Sequence, residues 1–193
     1  MEPVTLTTDR LLLRPLGPDD TEAVYAACQD PDISRWTTIP KPYRREHAEG
    51  FTQKIAPEAW RSGSEYAFAI LSKEADNEGA LVACMGIMAR GLGVAEVGFW
   101  AVKEHRGRGY VTEALQTLAR WAFEEGAVDR LEWRAEVGNE ASRAVATRAG
   151  FTFEGTLRAA MAHRGARHDC WVASLLPSDV GLRPLDPYRP TAS

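Results

Sequence analysis

Residues 94 to 125 read VAEVGFWAVKEHRGRGYVTEALQTLARWAFEE, and three signals follow one another within them. Val94 to Val102 is rich in Val, Phe and Trp, which predicts a strand. Lys103 to Tyr110 is a basic turn containing Gly107 and Gly109. From Val111 onward, Ala114, Leu115, Leu118, Ala119 and Ala122 recur at helical spacing. A strand, a glycine-containing turn and a helix start can hold an anion. Glycine lets the backbone approach, the free amides of the first helical turn point outward, and the helix dipole favours negative charge. Arg106 and Arg108 can add charge-assisted hydrogen bonds. The expectation is a site for an anionic cofactor; the bland alternative is a tight turn and nothing more.

Spacing narrows the choice. A dinucleotide fingerprint would need glycine at position 112, where Thr112 stands, and Gly-Lys-Ser/Thr of a P-loop occurs nowhere. The run Arg106-Gly107-Arg108-Gly109-Tyr110-Val111 instead resembles the acyl-CoA signature of the GNAT superfamily of N-acyltransferases, Gln/Arg-x-x-Gly-x-Gly/Ala. Arg106 and Gly109 match it, and Val111 departs from its last small residue. About thirty residues on, Asn139-Glu140-Ala141-Ser142-Arg143 is followed by Gly150-Phe151 and Glu154-Gly155. That order resembles the branch containing the ribosomal-protein N-terminal acetyltransferases, the Rim type. The resemblance extends roughly from Leu6 to Asp179.

The rest of the chain fits one such unit. At 193 residues a single domain with a full core is the prior, taken as residues 1 to 180 followed by a Pro-rich tail from 181 to 193. A formal charge of −4 and a pI of about 5.6 argue against an extended nucleic-acid footprint. No apolar run approaches the ~20 residues needed to span a bilayer, and the start lacks a basic region followed by an apolar one. Cys28, Cys84 and Cys170 are odd in number and far apart, which suits free thiols in a reducing cytoplasm.

In chain order, Leu6 to Leu16 predicts a strand stopped by Pro15, and Ala23, Val24, Ala27 and Cys28 give one helical face. Ile33 to Pro42 reads as a loop, Tyr43 to Ile55 as a helix, and Pro57 as the first turn of another. Tyr66 to Leu71 and Leu81 to Met88 form a hairpin leading into the 94–102 strand. Arg130 to Val137 alternates apolar and charged residues and predicts a half-buried strand. A helix from Asn139 and strands near Phe151–Leu157 and Asp169–Leu176 complete the domain; Leu182 to Ser193 reads as a mobile tail. The expected fold class is α/β with a central mixed sheet. The family resemblance implies more: a twisted sheet whose two parallel strands splay apart, flanked by helices.

Several chemistries are absent from the sequence. There is no Gly-x-Ser-x-Gly elbow and no His-Glu-x-x-His helix. His163 and His168 lie in MAHRGARH, read as a polar loop too loosely patterned for a metal, so no metal is expected. The resemblance implies direct attack of an amine on the acetyl-CoA thioester. Pantetheine would pair with the backbone of Trp100, Ala101 and Val102. Gly107 to Thr112, including Arg108, Tyr110 and Val111, would cradle the pyrophosphate, with Asn139, Ser142 and Arg143 beside the pantetheine and its phosphates. Glu96 is the candidate general base, acting through water, or else an ordinary outward-facing strand residue. Many family members carry a thiolate-protonating Tyr seven residues after the Asn, but this chain has Ala146 there. Ser142 is the replacement that the Rim-type pattern suggests; its other reading is a local helix cap. Trp36, Tyr43 and Trp60 fall in the region that the family uses for its acceptor, and each has a core reading beside it.

The leading expectation is a cytoplasmic acetyl-CoA-dependent N-acetyltransferase, monomer or homodimer, acting on a primary amine such as a protein N-terminus, with no nucleic-acid or membrane partner. Two alternatives stand beside it. A small-molecule acetyltransferase of metabolism or antibiotic resistance shares every cofactor motif. A CoA-binding module without catalysis would explain Val111 and Ala146.

Overall fold

A computed structural model describes residues 2 to 190. Eight strands form one sheet: β1 (Leu6–Thr7), β2 (Leu11–Pro15), β3 (Glu65–Ser72), β4 (Leu81–Gly91), β5 (Val94–Ala101), β6 (Arg130–Glu136), β7 (Thr152–His163) and β8 (Ala166–Leu175). Their spatial order is β1-β2-β3-β4-β5-β6-β8-β7. All neighbours are antiparallel except β5 and β6, which run parallel, so the sheet is mixed as expected. The parallel pair requires a crossover, and α5 (Tyr110–Glu125) supplies it.

The two-residue period of the strands divides the core in two. Ala95 and Val97 of β5 and Leu131 and Trp133 of β6 face the apolar stripe of α5, including Ala114, Leu115, Leu118 and Ala122. Trp60, Phe68 and Trp121 add an aromatic stack to that core. On the other face, Ala67, Ala69 and Cys84 pack beneath α1 (Thr21–Ala27), α2 (Pro31–Trp36), α3 (Arg45–Gly50) and α4 (Ala56–Ser62) through Val24, Ile33, Ala48 and Ala56. α6 (Glu140–Arg148) follows β6 and buries Ala146 and Ala149 in the α5 core.

Three elements differ from the sequence reading. Residues 33 to 42 do not form a loop throughout, because α2 runs to Trp36. Asp30 caps it by accepting from the Asp32 amide, and Pro31 occupies the first turn, where its missing N–H costs nothing. Between α3 and α4 the chain does not break; Phe51–Ile55 forms a π-helical turn, which widens the ladder where Pro57 would otherwise clash with the carbonyl of Gln53. The MAHRGARH segment is not a loop either. β7 and β8 form one long hairpin with Arg164 and Gly165 at its tip, so His163 and His168 are strand residues. β7 is interrupted by register shifts at Phe153/Gly155 and Leu157/Met161, with Ala159 at φ 51°, so its side chains never show the two-residue alternation that announces a strand.

After Pro177–Val180 the chain continues along the body. The amides of Leu185 and Asp186 donate to the Asp129 carboxylate at 2.6 and 3.1 Å, so this part of the expected tail is held. Thr191 to Ser193 lie outside the described residues.

Candidate active site

β5 and β6 pair only from Val94↔Arg130 to Val97↔Trp133. Beyond that point β5 continues to Ala101 bonded only to β4, and β6 continues to Glu136 bonded only to β8. The strands therefore splay, leaving two backbone edges facing an open wedge. A cleft of about 860 Å³ occupies it, walled by β5, β6, α2, α6 and the turn entering α5.

The turn forms one end of the cleft. Gly107 and Gly109 have φ of 77° and 81°, a region where side chains are strained, and they orient the first turn of α5 toward the opening. A Cβ on Gly107 would meet nothing within 4 Å, so the backbone there stands clear for a ligand. Val111 and Thr112 line the same end. Tyr110 lines it too but is 2 % exposed; its hydroxyl donates to Glu74 and accepts from Arg108 at 3.2 Å.

Both arginines of the turn are engaged with carboxylates. Arg106 donates to Asp30 and to Asp32 (3.2 Å) on α2, and to the Ala101 carbonyl on β5 (3.1 and 3.3 Å). Arg108 donates to Asp76 at 2.8 Å, and this bond holds the Asp76 carboxyl below its ordinary range. Arg106 lines the cleft while knitting α2 to the turn.

On the β5 wall, Trp100 and Ala101 line the cleft, whereas the Val102 amide donates to Val82 and its side chain packs in the second core. Glu96 lines the cleft at 19 % side-chain exposure, paired with Arg90 at 3.0 Å and approached by Arg134 at 3.9 Å. On the α6 wall, Asn139 accepts the Ser142 amide as the helix cap (3.2 Å). Ser142 lines the cleft, and its hydroxyl accepts from the Trp133 indole at 2.9 Å. Arg143 points elsewhere, its guanidinium lying over the rings of Phe153 and Trp171 at 4.9 and 4.7 Å. Of the aromatic acceptor candidates, only Trp36 borders the cleft. Tyr43 packs half-buried in the second core and hydrogen-bonds to Cys28, and Trp60 is core. Among the described residues no group of acids, histidines or cysteines is arranged to hold a metal, and no helix is long and apolar enough to cross a membrane.

One wall of the cleft carries a residue that sequence reasoning missed. Glu136, with 8 % of its side chain exposed, accepts from Arg35 of α2 at 2.9 and 3.2 Å. It also faces His163 of β7 at 3.2 Å and His168 of β8 at 3.3 Å. The other ring nitrogen of His163 lies 3.1 Å from the Thr37 carbonyl. The Arg35 hydrogen bonds hold the Glu136 carboxyl below its usual range against the opposing effect of burial. In the sequence, the only signal was a charged residue at the end of an alternating strand.

Comparison with known proteins agrees with this architecture. The family model described as "Acetyltransferase (GNAT) domain" matches residues 10–152. A Bacillus subtilis (strain 168) protein, YdaF, named provisionally as a ribosomal N-acetyltransferase, is 45 % identical over 82 residues, which are 42 % of this chain and 45 % of that protein. A Vibrio cholerae structure described provisionally as a ribosomal-protein-serine acetyltransferase superposes with a TM-score of 0.79 at 25 % identity, covering 90 % of this chain and 98 % of its own. RimL, a ribosomal L7/L12 alpha-N-protein acetyltransferase solved in complex with coenzyme A, shares the fold at a TM-score of 0.79 and 20 % identity, covering 91 % of this chain and 98 % of its own.

Proposed function

The chain belongs to the GNAT acetyltransferase family, and on that premise we propose that it transfers the acetyl group of acetyl-CoA directly to the N-terminal α-amine of a protein or peptide. The observation that carries this reading is the wedge between β5 and β6, with a carboxylate (Glu96) and a hydroxyl (Ser142) on its walls and the glycine turn at one end. The open edge of Gly98 to Ala101 suits strand-like pairing with pantetheine, and the amides from Gly107 to Thr112 suit the pyrophosphate. When bound, the thioester supplies an activated acyl carbon and a sulfur leaving group.

The chain's own residues then handle two protons. Glu96 takes the amine proton through water, with Arg90 paired to it at 3.0 Å. Ser142 offers its hydroxyl proton toward the sulfur, because the Trp133 indole can only donate and so occupies an acceptor position of that oxygen. A β5 backbone amide facing the wedge serves the tetrahedral oxyanion.

The acceptor is inferred from how little equipment the site has. At pH 7 roughly a tenth of an α-amine is already neutral, against about 0.04 % of a lysine amine. Recovering that difference would take about 3.5 kcal/mol of site tuning, and Glu96, held between arginines, is modest equipment for it. The descriptions of YdaF, the Vibrio cholerae structure and RimL point the same way. Three unpaired, buried cysteines suit a reducing compartment, and we place the reaction in the cytoplasm.

Peptides differing only in whether the α-amine or a lysine side chain is free test the reading, with thiol release as the signal. Faster lysine acetylation, or turnover only on small amines, would sink it. Stabilisation by acetyl-CoA with no turnover on any amine would favour a binding module.

A further inference from the structure

Several hydroxyls at helices of this chain close back on their own backbone. Thr37, Thr52, Thr117 and Thr147 each donate to the carbonyl four residues earlier, at 2.5 to 3.0 Å. Ser142, in the first turn of α6, makes no such bond among the described residues. Its backbone amide is taken by Asn139, and its oxygen accepts from the Trp133 indole N–H. An indole N–H cannot accept, so the hydroxyl proton is directed away from it, and Ser142 lines the cleft. Trp133 itself cannot swing away: it is 2 % exposed, in the core beneath the point where β5 and β6 part.

We propose that Trp133 is a positioning residue whose indole N–H occupies an acceptor position of the Ser142 hydroxyl and so presents its proton to the leaving sulfur of the acetyl donor. The inference rests on the acetyl-transfer reading above. In that reaction the amine nitrogen bonds to the acetyl carbon, the carbon–sulfur bond breaks, and its electron pair goes to sulfur. Overall the amine loses one proton and the sulfur gains one. Ser142 stabilises the developing thiolate by hydrogen bonding, and Trp133 strengthens that donation by polarising the hydroxyl. Without the indole, that acceptor position is empty and nothing fixes the direction of the hydroxyl proton.

The test needs no acceptor. The thiol of CoA bound to the full-length protein is titrated by its thiolate ultraviolet absorbance in wild type, Trp133→Phe, Ser142→Ala and the double variant. Trp133→Phe should raise the apparent thiol pKa by about one unit, the scale of a hydrogen bond to a charged group. Ser142→Ala should raise it at least as much, and the double variant no further than Ser142→Ala alone. Turnover should fall about tenfold in Trp133→Phe, with the acetyl-CoA KM little changed. If Phe at 133 disturbs folding, benzothienylalanine at that position keeps the bicyclic shape without the N–H and should give the same shift. An unchanged thiol titration in the folded position-133 variants, or shifts that add in the double variant, would overturn the proposal. Failure of the wild type to acetylate any amine would sink the acetyl-transfer reading and leave the titration to decide the role of Trp133.

Discussion

Glu136→Gln is the most informative single change, because one carboxylate joins α2, β6, β7 and β8. The wild-type side chain is almost fully buried, accepts two hydrogen bonds from Arg35 and faces His163 and His168. Glutamine keeps the shape but removes the charge and turns an amide NH2 toward donors. Hydrogen bonds to charged groups contribute about 1.5–3 kcal/mol each, but Arg35 is half exposed, which reduces its share through solvent screening. A net loss of about 2 kcal/mol is therefore expected, or roughly 4–8 °C in Tm for a chain of this size. The pH dependence follows from the direction of the shift. The folded carboxyl titrates below the ordinary value of about 4.3, so its stabilisation is full well above that pH and is lost as pH falls through the depressed folded value. The Tm gap between wild type and variant should thus be widest near pH 7 and narrow below about pH 4.3. Because Arg35 adjoins Trp36 and His163 meets the Thr37 carbonyl, the acceptor KM should rise while stabilisation by CoA is retained. Calorimetry across pH and a CoA thermal-shift assay read both effects. A variant within 1 °C of wild type at pH 7, or a gap that does not narrow in acid, would refute this view of the hub.

Gly109→Val places a β-branched residue at φ 81°, near Arg10, and should both lower Tm by a few degrees and abolish CoA-induced stabilisation; retained stabilisation would move the anion site elsewhere. Glu96→Gln should lower turnover by about a hundredfold with a smaller change in acetyl-CoA KM, and parent-like activity across the pH range would reduce Glu96 to a partner of Arg90. Cys28, Cys84 and Cys170 are buried, with the Cys28 thiol pushed up to about 11 by burial, so a thiol reagent at pH 8 should label none in the native protein and all three after denaturation. Rapid native labelling would contradict that burial.

The end of the cleft that faces the proposed cofactor was legible because its parts are contiguous. Strand, glycine turn and helix follow within 32 residues, and Asn139 and Ser142 sit within one capping turn. Their geometry comes from local rules of period, turn and cap. The cluster around Glu136 was not legible, because it depends on distant partners. Glu136 meets Arg35 across 101 residues and His163 across 27, and His163 lies on β7, whose bulges hide the two-residue period. Trp36 and Trp60 make the same point with one residue type. Each sits on a short helix above the same sheet, yet one borders the cleft and the other lies in an aromatic stack with Tyr66, Phe68 and Trp121. Only tertiary packing distinguishes them.

The same distinction bears on how an anion would be held. The sequence makes Arg106 and Arg108 natural phosphate ligands, but the folded chain joins them to Asp30, Asp32 and Asp76. The pairs with Asp32 and Asp76 are exposed and contribute little to stability, so exchanging those carboxylates for a phosphate costs little and gains little, whereas the buried Asp30 side chain holds Arg106 in place. The amides of Gly107 to Thr112 stand in a different position. Those at the start of α5 have no helical partner, and the two glycines before them stand at positive φ. A turn already braced by carboxylates also loses less freedom when an anion arrives. On the proposed reading the arginines would act first as braces, joining the turn to α2 and to the Asp76 loop, and the backbone would supply the donors. On this account Arg108→Gln should weaken anion binding chiefly by loosening the turn, and Asp76→Asn should weaken it too. If removing Asp76 instead tightened CoA binding, the arginine would be a phosphate ligand held in reserve rather than a brace.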